Sequence, residues 1–401
     1  MKSMVGAAFE AARRRPSPGV VAALAVLALA LAAGAPLCAR AESQLVPAYP
    51  EQPLQGAEQA KGAVIWSHGK GPGEDGAKAA NPEYLALLRD AGWDVYRNNR
   101  LGELDEYKEP RPNVVAQVRS KTDELAKNVD KLEAEGYRKI VLAGQSFGAW
   151  LSLTLADKRS DLYAVIAASP AAYGTRQRNP DHYENNGRYL GDLIDDLEVK
   201  RVMVTFFRDD PYDPGGRGPA ADATLARHHI PHLVIDQPEI PTGHGGANGL
   251  FFARRFGPCV VALVQAPQVP ALAECANGKA LEPSGAVPLP GELKLATPSG
   301  AAASDPFLGE WWGLYGNGRE MILAVERIEG ERVQAIYAYG PQGRQKGSFV
   351  EITGRLAEGR LVFAEPGKPR FEYRLGPDGG LAATWSKGEV TLAAHLRRLS
   401  P

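Results

Sequence analysis

Short, almost continuous apolar runs recur along the first part of the chain, at Gly62–Trp66, Trp93–Tyr96, Ile140–Ala143, Tyr163–Ala168, Arg201–Phe207 and Leu233–Ile235. A strand that is apolar at every position is buried on both faces. Between these runs lie stretches with helical spacing. One starts near Pro82, which suits a first-turn position, and runs to Arg89; the next spans Asn113–Glu135 and is closed by Gly136. Others follow at Tyr189–Leu197, Ala220–His228 and Leu250–Gln265. Strict alternation of buried strands and helices predicts the α/β class: a mostly parallel sheet covered by helices on both faces, with right-handed crossovers. Residues 42–60 show no period and read as an irregular lead-in.

After Cys275 the texture changes. Residues 277–304 are rich in Ala, Gly, Pro and Ser, with Pro283, Pro288, Pro290 and Pro298, and read as a linker. Beyond it apolar and polar residues alternate in short runs, as where Phe371, Tyr373 and Leu375 interleave with Arg370, Glu372 and Arg374. Glu329-Gly330, Glu358-Gly359 and Asp378-Gly379 stand between runs as hairpin turns. Residues 305–401 are therefore predicted to form a small antiparallel β-domain of roughly seven or eight strands, a meander or barrel. The α/β domain then occupies residues 42–276.

Composition narrows the possible partners. The 401 residues carry 46 basic and 47 acidic side chains, so neither a nucleic-acid footprint nor a polybasic membrane patch is expected. The start of the chain reads as an address: Arg13-Arg14-Arg15, an apolar run from Val20 to Ala33, then Ala39-Arg40-Ala41. This is the pattern of a secretory signal peptide over residues 1–41, which implies a periplasmic or secreted protein. An uncleaved anchor is the alternative, but the run is short for a membrane span. Cys38 lacks the leucine-led, small-residue context of a lipoprotein signal, since Ala35-Pro36-Leu37 precedes it. Cleavage leaves Cys259 and Cys275, an even count in an oxidising compartment, for which a disulfide is the natural pairing and two buried thiols the alternative.

The candidate chemistry is concentrated at Gly144-Gln145-Ser146-Phe147-Gly148, which leads from the run at Ile140 into a helical Ala149–Ala156. A strand, a glycine-bracketed serine and a helix make a nucleophile elbow: a serine hydroxyl must stand on a sharp turn where a base can reach it. An ordinary tight turn is the competing reading. Phe147, at the positive end of the new helix, would offer its N–H to a developing oxyanion. The required acid and base follow later strands. Asp209, Asp210 and Asp213 come after the run ending at Phe207, and His244 lies in Gly243-His244-Gly245-Gly246 after the run at Leu233. His228, His229 and His232 sit at a helix end with Pro231 among them and read as surface or packing residues, not as a metal set. His182 and His395 lie away from the relevant strand ends.

On these motifs residues 61–265 resemble the α/β-hydrolase family, closest to its dienelactone hydrolase-like and small serine esterase branches. The resemblance implies Ser146 as nucleophile and His244 as base. It also favours Asp210 as acid, because the family's acid is often followed four residues later by a proline, here Pro214. His68-Gly69 resembles the family's oxyanion turn, so Gly69 or Lys70 would donate alongside Phe147. A serine stands where dienelactone hydrolases proper carry cysteine, which points to general ester, thioester or amide hydrolysis. Tyr173 and Arg176, in a polar segment that follows a strand, are candidate substrate contacts or else coat a surface loop. Phe307-Leu308-Gly309-Glu310-Trp311-Trp312-Gly313 resembles the opening of lipocalin-like barrels.

The reading is an exported serine hydrolase acting on a small-molecule or acylated substrate, with no metal and no organic cofactor implied. Alternatives are a peptidase or acyltransferase on the same triad, or a non-catalytic binding protein in which the β-domain carries the function.

Overall fold

The computed structural model describes residues 44–70, 79–100, 114–293, 306–342, 345–388 and 390–399. The expected signal peptide, residues 1–41, lies outside the described residues, as do the first residue of the helix expected from Asn113 and the segment 294–305. Among the described residues, no helix is long and apolar enough to cross a membrane.

The α/β part is built from β1 (Gln44–Pro47), β2 (Ala63–Ser67), α1 (Tyr84–Asp90), β3 (Asp94–Asn99), α2 (Val114–Ala134), β4 (Ile140–Gln145) and α3 (Phe147–Ala156). It continues through β5 (Ala164–Ala168), α4 (Asn185–Asp195), β6 (Val202–Phe206), α5 (Arg217–Arg227), β7 (His232–Asp236), α6 (Leu250–Gln265) and the short α7 (Leu272–Cys275). The strands form one sheet in the order β1-β3-β2-β4-β5-β6-β7. All pairings are parallel except β1 with β3. This is the mostly parallel sheet, covered by helices on both faces, that the alternation of apolar runs and helical stretches predicts.

Alternation within the strands feeds two cores. Ile65, Leu142, Val165 and Val204 face α2 to α5, while Val64, Val141, Ile166 and Met203 face α1 and α6. Every residue of β2, β5 and β6 is buried, which is why these segments read as unbroken apolar runs. The lead-in expected to be irregular contains β1. Its four residues are only half-buried or exposed at the sheet edge, so no alternation marked them. Cys259 of α6 and Cys275 of α7 are joined by the expected disulfide, with Cα atoms 4.9 Å apart.

The second part is a closed barrel of β8 (Gly309–Tyr315), β9 (Glu320–Glu329), β10 (Arg332–Tyr339), β11 (Ser348–Ala357), β12 (Arg360–Phe363), β13 (Arg370–Leu375), β14 (Leu381–Lys387) and β15 (Val390–Arg398). Each strand pairs antiparallel with its sequence neighbour, and β15 returns to β8 with Ala394 opposite Tyr315. The three glycine turns lie where the sequence placed them; Glu358 and Gly359 have φ of 52° and 71°, and Gly330 and Gly379 are also positive. This closed meander has the architecture that the lipocalin-like resemblance implies.

Strand β8 shows how the barrel attaches. Trp311 and Tyr315 point into the barrel core, whereas Trp312 and Leu314 point outward and pack with Phe251 of α6. Ala280 and Val287 join that outer cluster, so part of the stretch read as linker is packed structure. Beside it, the buried Glu320 carboxylate accepts from Trp312 Nε1 at 2.6 Å and Ser284 N at 2.7 Å, with Arg254 Nη1 at 3.7 Å. Burying a carboxylate is costly unless it is bonded, and these partners tie barrel, connecting segment and α6 together.

Candidate active site

Strand β4 lies between β2 and β5, where the strand order reverses, so the end of β4 opens into the crevice that such sheets use for ligands. Ser146 follows directly, at φ 55° and ψ −118°, a strained conformation for a residue with a side chain. Two glycines permit the turn. A Cβ on Gly144 would lie 2.4 Å from the Gly148 carbonyl carbon, and one on Gly148 would lie 2.0 Å from the Ser67 oxygen. The elbow is pinned by Ser146 N donating to Ala168 O at 2.9 Å and Ala171 N donating to Ser146 O at 3.2 Å. Phe147 is the first residue of α3, so its N–H has no partner within the helix.

After β6, Asp210 is fully buried and faces His244, whose side chain is 18% exposed. His244 Nδ1 lies 2.9 and 3.0 Å from the two Asp210 oxygens. A carboxylate can only accept, so Nδ1 carries the hydrogen, and in the neutral imidazole Nε2 then presents its lone pair. Nε2 is buried without a hydrogen-bond partner. Asp210 also accepts from Tyr212 N at 2.8 Å, and the Tyr212 ring stacks on the imidazole with centroids 4.1 Å apart. Gln145 Nε2 donates to His244 O at 3.1 Å, linking the histidine loop to the residue before Ser146.

Of the three candidate acids, geometry brings only Asp210 to the histidine. Asp209 is exposed, at φ 60°. Asp213 accepts from Arg217 Nε at 2.8 Å. Arg217 is itself buried, lies 4.0 Å from Asp210 and donates to Pro170 O at 2.6 Å. Nothing in the sequence singled it out; its one local signal is the i, i+4 spacing from Asp213 on the approach to α5.

Gly69 approaches the elbow closely: a Cβ there would lie 3.2 Å from the Ser146 Cβ. The turn is braced by Arg100, which donates to His68 O at 2.7 Å, a buried contact that the sequence did not reveal. Lys70 donates from Nζ to Gln117 Oε1 at 2.8 Å and lies 4.0 Å from the centre of the Phe147 ring. A small pocket of about 80 Å³ brings Lys70, Gln145, Ser146, Phe147 and His244 together.

The two expected substrate contacts stand apart from that pocket. Tyr173 is buried against Trp150 and Tyr189, and burial raises its phenol above the ordinary value. Arg176 is exposed and pairs with Glu184. Gly174, Thr175 and Arg178 of the same segment line the pocket instead. Asn186 fixes this segment, accepting from Ala172 N and Tyr173 N and donating to Gly174 O and Tyr212 O.

Three other histidines pair with carboxylates away from the site. His228 Nε2 meets Asp195 at 2.8 Å and His232 Nε2 meets Asp222 at 3.1 Å. His395 meets Asp378 at 3.0 Å on the barrel. Among the described residues no group of His, Cys, Asp and Glu is arranged to hold a metal ion.

No protein-family profile matches the sequence, and no curated protein sequence matches it. Among solved structures it is similar to a dienelactone hydrolase candidate from Klebsiella pneumoniae, at 14% identity over 50% of this chain and 86% of that one, TM-score 0.35. It is also similar to a monoacylglycerol lipase of Paleococcus ferrophilus, at 15% identity over 51% of this chain and 91% of that one, TM-score 0.34. An esterase of Pyrococcus furiosus is similar at 12% identity over 47% of this chain and 76% of that one, TM-score 0.33.

Proposed function

We propose that this chain is an exported serine hydrolase that cleaves a carboxylic ester or thioester through an acyl-enzyme. The observation that carries the reading is the buried Asp210–His244 pair, which leaves Nε2 as a bare acceptor in the pocket that also holds the strained Ser146. Ser146 Oγ attacks the carbonyl carbon and His244 Nε2 takes its proton. The tetrahedral oxyanion is met by the N–H of Phe147 and that of Gly69 or Lys70, each such donor contributing about 3 kcal/mol of transition-state stabilisation. His244 then returns the proton to the leaving oxygen or sulfur, and water, activated by the same histidine, releases the acid. Asp210 holds the imidazole in the tautomer that accepts at Nε2.

The test is labelling of the chain from Glu42 with a fluorophosphonate probe, beside Ser146→Ala and His244→Ala, with the modified peptide located by mass spectrometry. Labelling confined to Ser146 and lost in both variants is expected. A folded wild-type protein that takes no label would overturn the proposal.

A further inference from the structure

Two cavities meet at His244, and they differ greatly in size. The pocket that contains Ser146 measures about 80 Å³ and is walled by Val114, Phe147, Ala171 and Ala172. The second cavity is a cleft of about 1450 Å³ that shares Lys70, Gln145 and His244 with the first. One wall comes from the sheet loops, with Gly69, Arg208, Asp209, Glu239 and Asn248; the other is the outside of the barrel.

The barrel wall is open, with small side chains on its face and amides at its rim. Ala382, Thr391 and Ala393 are exposed on the outer face of β14 and β15 and line the cleft. Asn317, Gln342 and Gln345 form its rim, braced by Gln342 Nε2 donating to Asn317 O at 3.1 Å and by Arg319 donating to Gln345 Oε1 at 2.9 Å. The position of this wall is fixed by a close approach of the two parts. Thr242 N donates to Gly316 O, and a Cβ on Gly318 would lie 3.0 Å from the Phe251 Cβ.

We propose that the barrel is the second half of the substrate site: it receives a neutral, polyhydroxylated alcohol, a sugar unit, whose short acyl ester is cleaved at Ser146. This rests on the serine-hydrolase reading above. The acyl carbon and its few attached atoms fill the small pocket beside Ser146. The leaving oxygen, which must take the proton from His244 Nε2, points into the large cleft where the alcohol lies. The ester C–O bond breaks, the alcohol leaves protonated, and water supplies the hydroxyl that completes the acid. Side-chain amides and the Thr391 hydroxyl both donate and accept, as sugar hydroxyls require. The Asp209 and Glu239 carboxylates accept from hydroxyls, and Lys70 and Arg208 in the same lining balance their charge, as suits a neutral leaving alcohol.

The test compares acetate release from acetylated xylo-oligosaccharides with hydrolysis of p-nitrophenyl acetate, in wild-type protein, Ala393→Trp and Ala382→Trp. Both substitutions narrow the cleft from an exposed strand face, away from the elbow. The expected result is a KM for the oligosaccharide raised at least tenfold in each variant and a much smaller change in kcat/KM for p-nitrophenyl acetate, so that the ratio of the two specificity constants falls at least fivefold, with a wild-type circular dichroism spectrum and thermal transition showing that the variants are folded. If Ala393→Trp does not fold, Ala382→Trp carries the comparison. Equal effects on both substrates, or none on either, would overturn the proposal. So would cleavage of an O-acetylserine peptide in preference to the sugar, or of p-nitrophenyl octanoate in preference to the acetate. Hydrolysis of p-nitrophenyl acetate without any acetate from the sugar removes this proposal and leaves the hydrolase reading standing. Failure with every ester removes both.

Discussion

His244 with Asp210 and His228 with Asp195 have nearly the same geometry, 2.9 Å and 2.8 Å, at opposite ends of the same sheet. Beyond the carboxyl ends of the strands the aspartate is fully buried and the histidine 18% exposed; at the amino ends the two are 51% and 39% exposed. Distance alone therefore says little. In the buried pair water cannot compete for the carboxylate, so the imidazole has one tautomer and one orientation. The exposed pair is solvated and screened, and Asp195 is shared with Arg227.

Substitution of the two aspartates should separate these cases most sharply. Asp210→Asn is expected to lower kcat on any activated ester by about 10⁴-fold, through loss of the productive tautomer, with the fold intact. Asp195→Asn should leave kcat unchanged, and equal losses from both would erase the distinction.

A pair of glycines gives the next effect, this time in stability. Gly148→Ala puts a Cβ 2.0 Å from backbone of β2, so strand or helix must shift, and urea unfolding should show a loss of about 3 kcal/mol. Gly191, on the exposed face of α4, has nothing within 4 Å of an added Cβ. There alanine should stabilise by about 0.5–1 kcal/mol, since glycine weakens a helix interior.

The smallest effect concerns acid. Hydrogen bonds from His228 and then Arg227 hold the Asp195 carboxyl below the usual range. A depressed folded value means that its contribution is present above about pH 4 and is lost as the pH falls through the lowered value. Removing the carboxylate should therefore shift the thermal midpoint by no more than about 1 °C at neutral pH and slightly flatten its fall below pH 4. A larger change at neutral pH would mean that the exposed pair is not screened as its solvation implies.

Much of this architecture was legible because burial on both faces leaves no room for polar residues: β2, β5 and β6 are written as apolar runs. The elbow was legible for a steric reason, since Gly144 and Gly148 are demanded by contacts under 2.5 Å. The acid stayed ambiguous among three neighbouring aspartates until the chain's path after β6 turned Asp210 towards His244 and Asp213 towards Arg217. Strand β1 was missed for want of a pattern at an exposed edge. Tyr173 and Arg176 were named for their chemistry, but side-chain direction within a loop is not a sequence property, and Thr175 and Arg178 face the pocket instead. The barrel's outer wall left least trace, because an alanine facing a cleft reads like any alanine facing water.

The closure of that barrel has a consequence in time. Strand β15 pairs with β8 across nearly the whole sequence of the barrel, so the ring cannot shut until β15 has emerged. By then the strands and helices that carry Ser146, Asp210 and His244 have long been synthesised. Thr391 and Ala393 belong to β15. The elbow and its histidine can thus assemble early, while the far wall of the cleft is added only by the last strand to arrive.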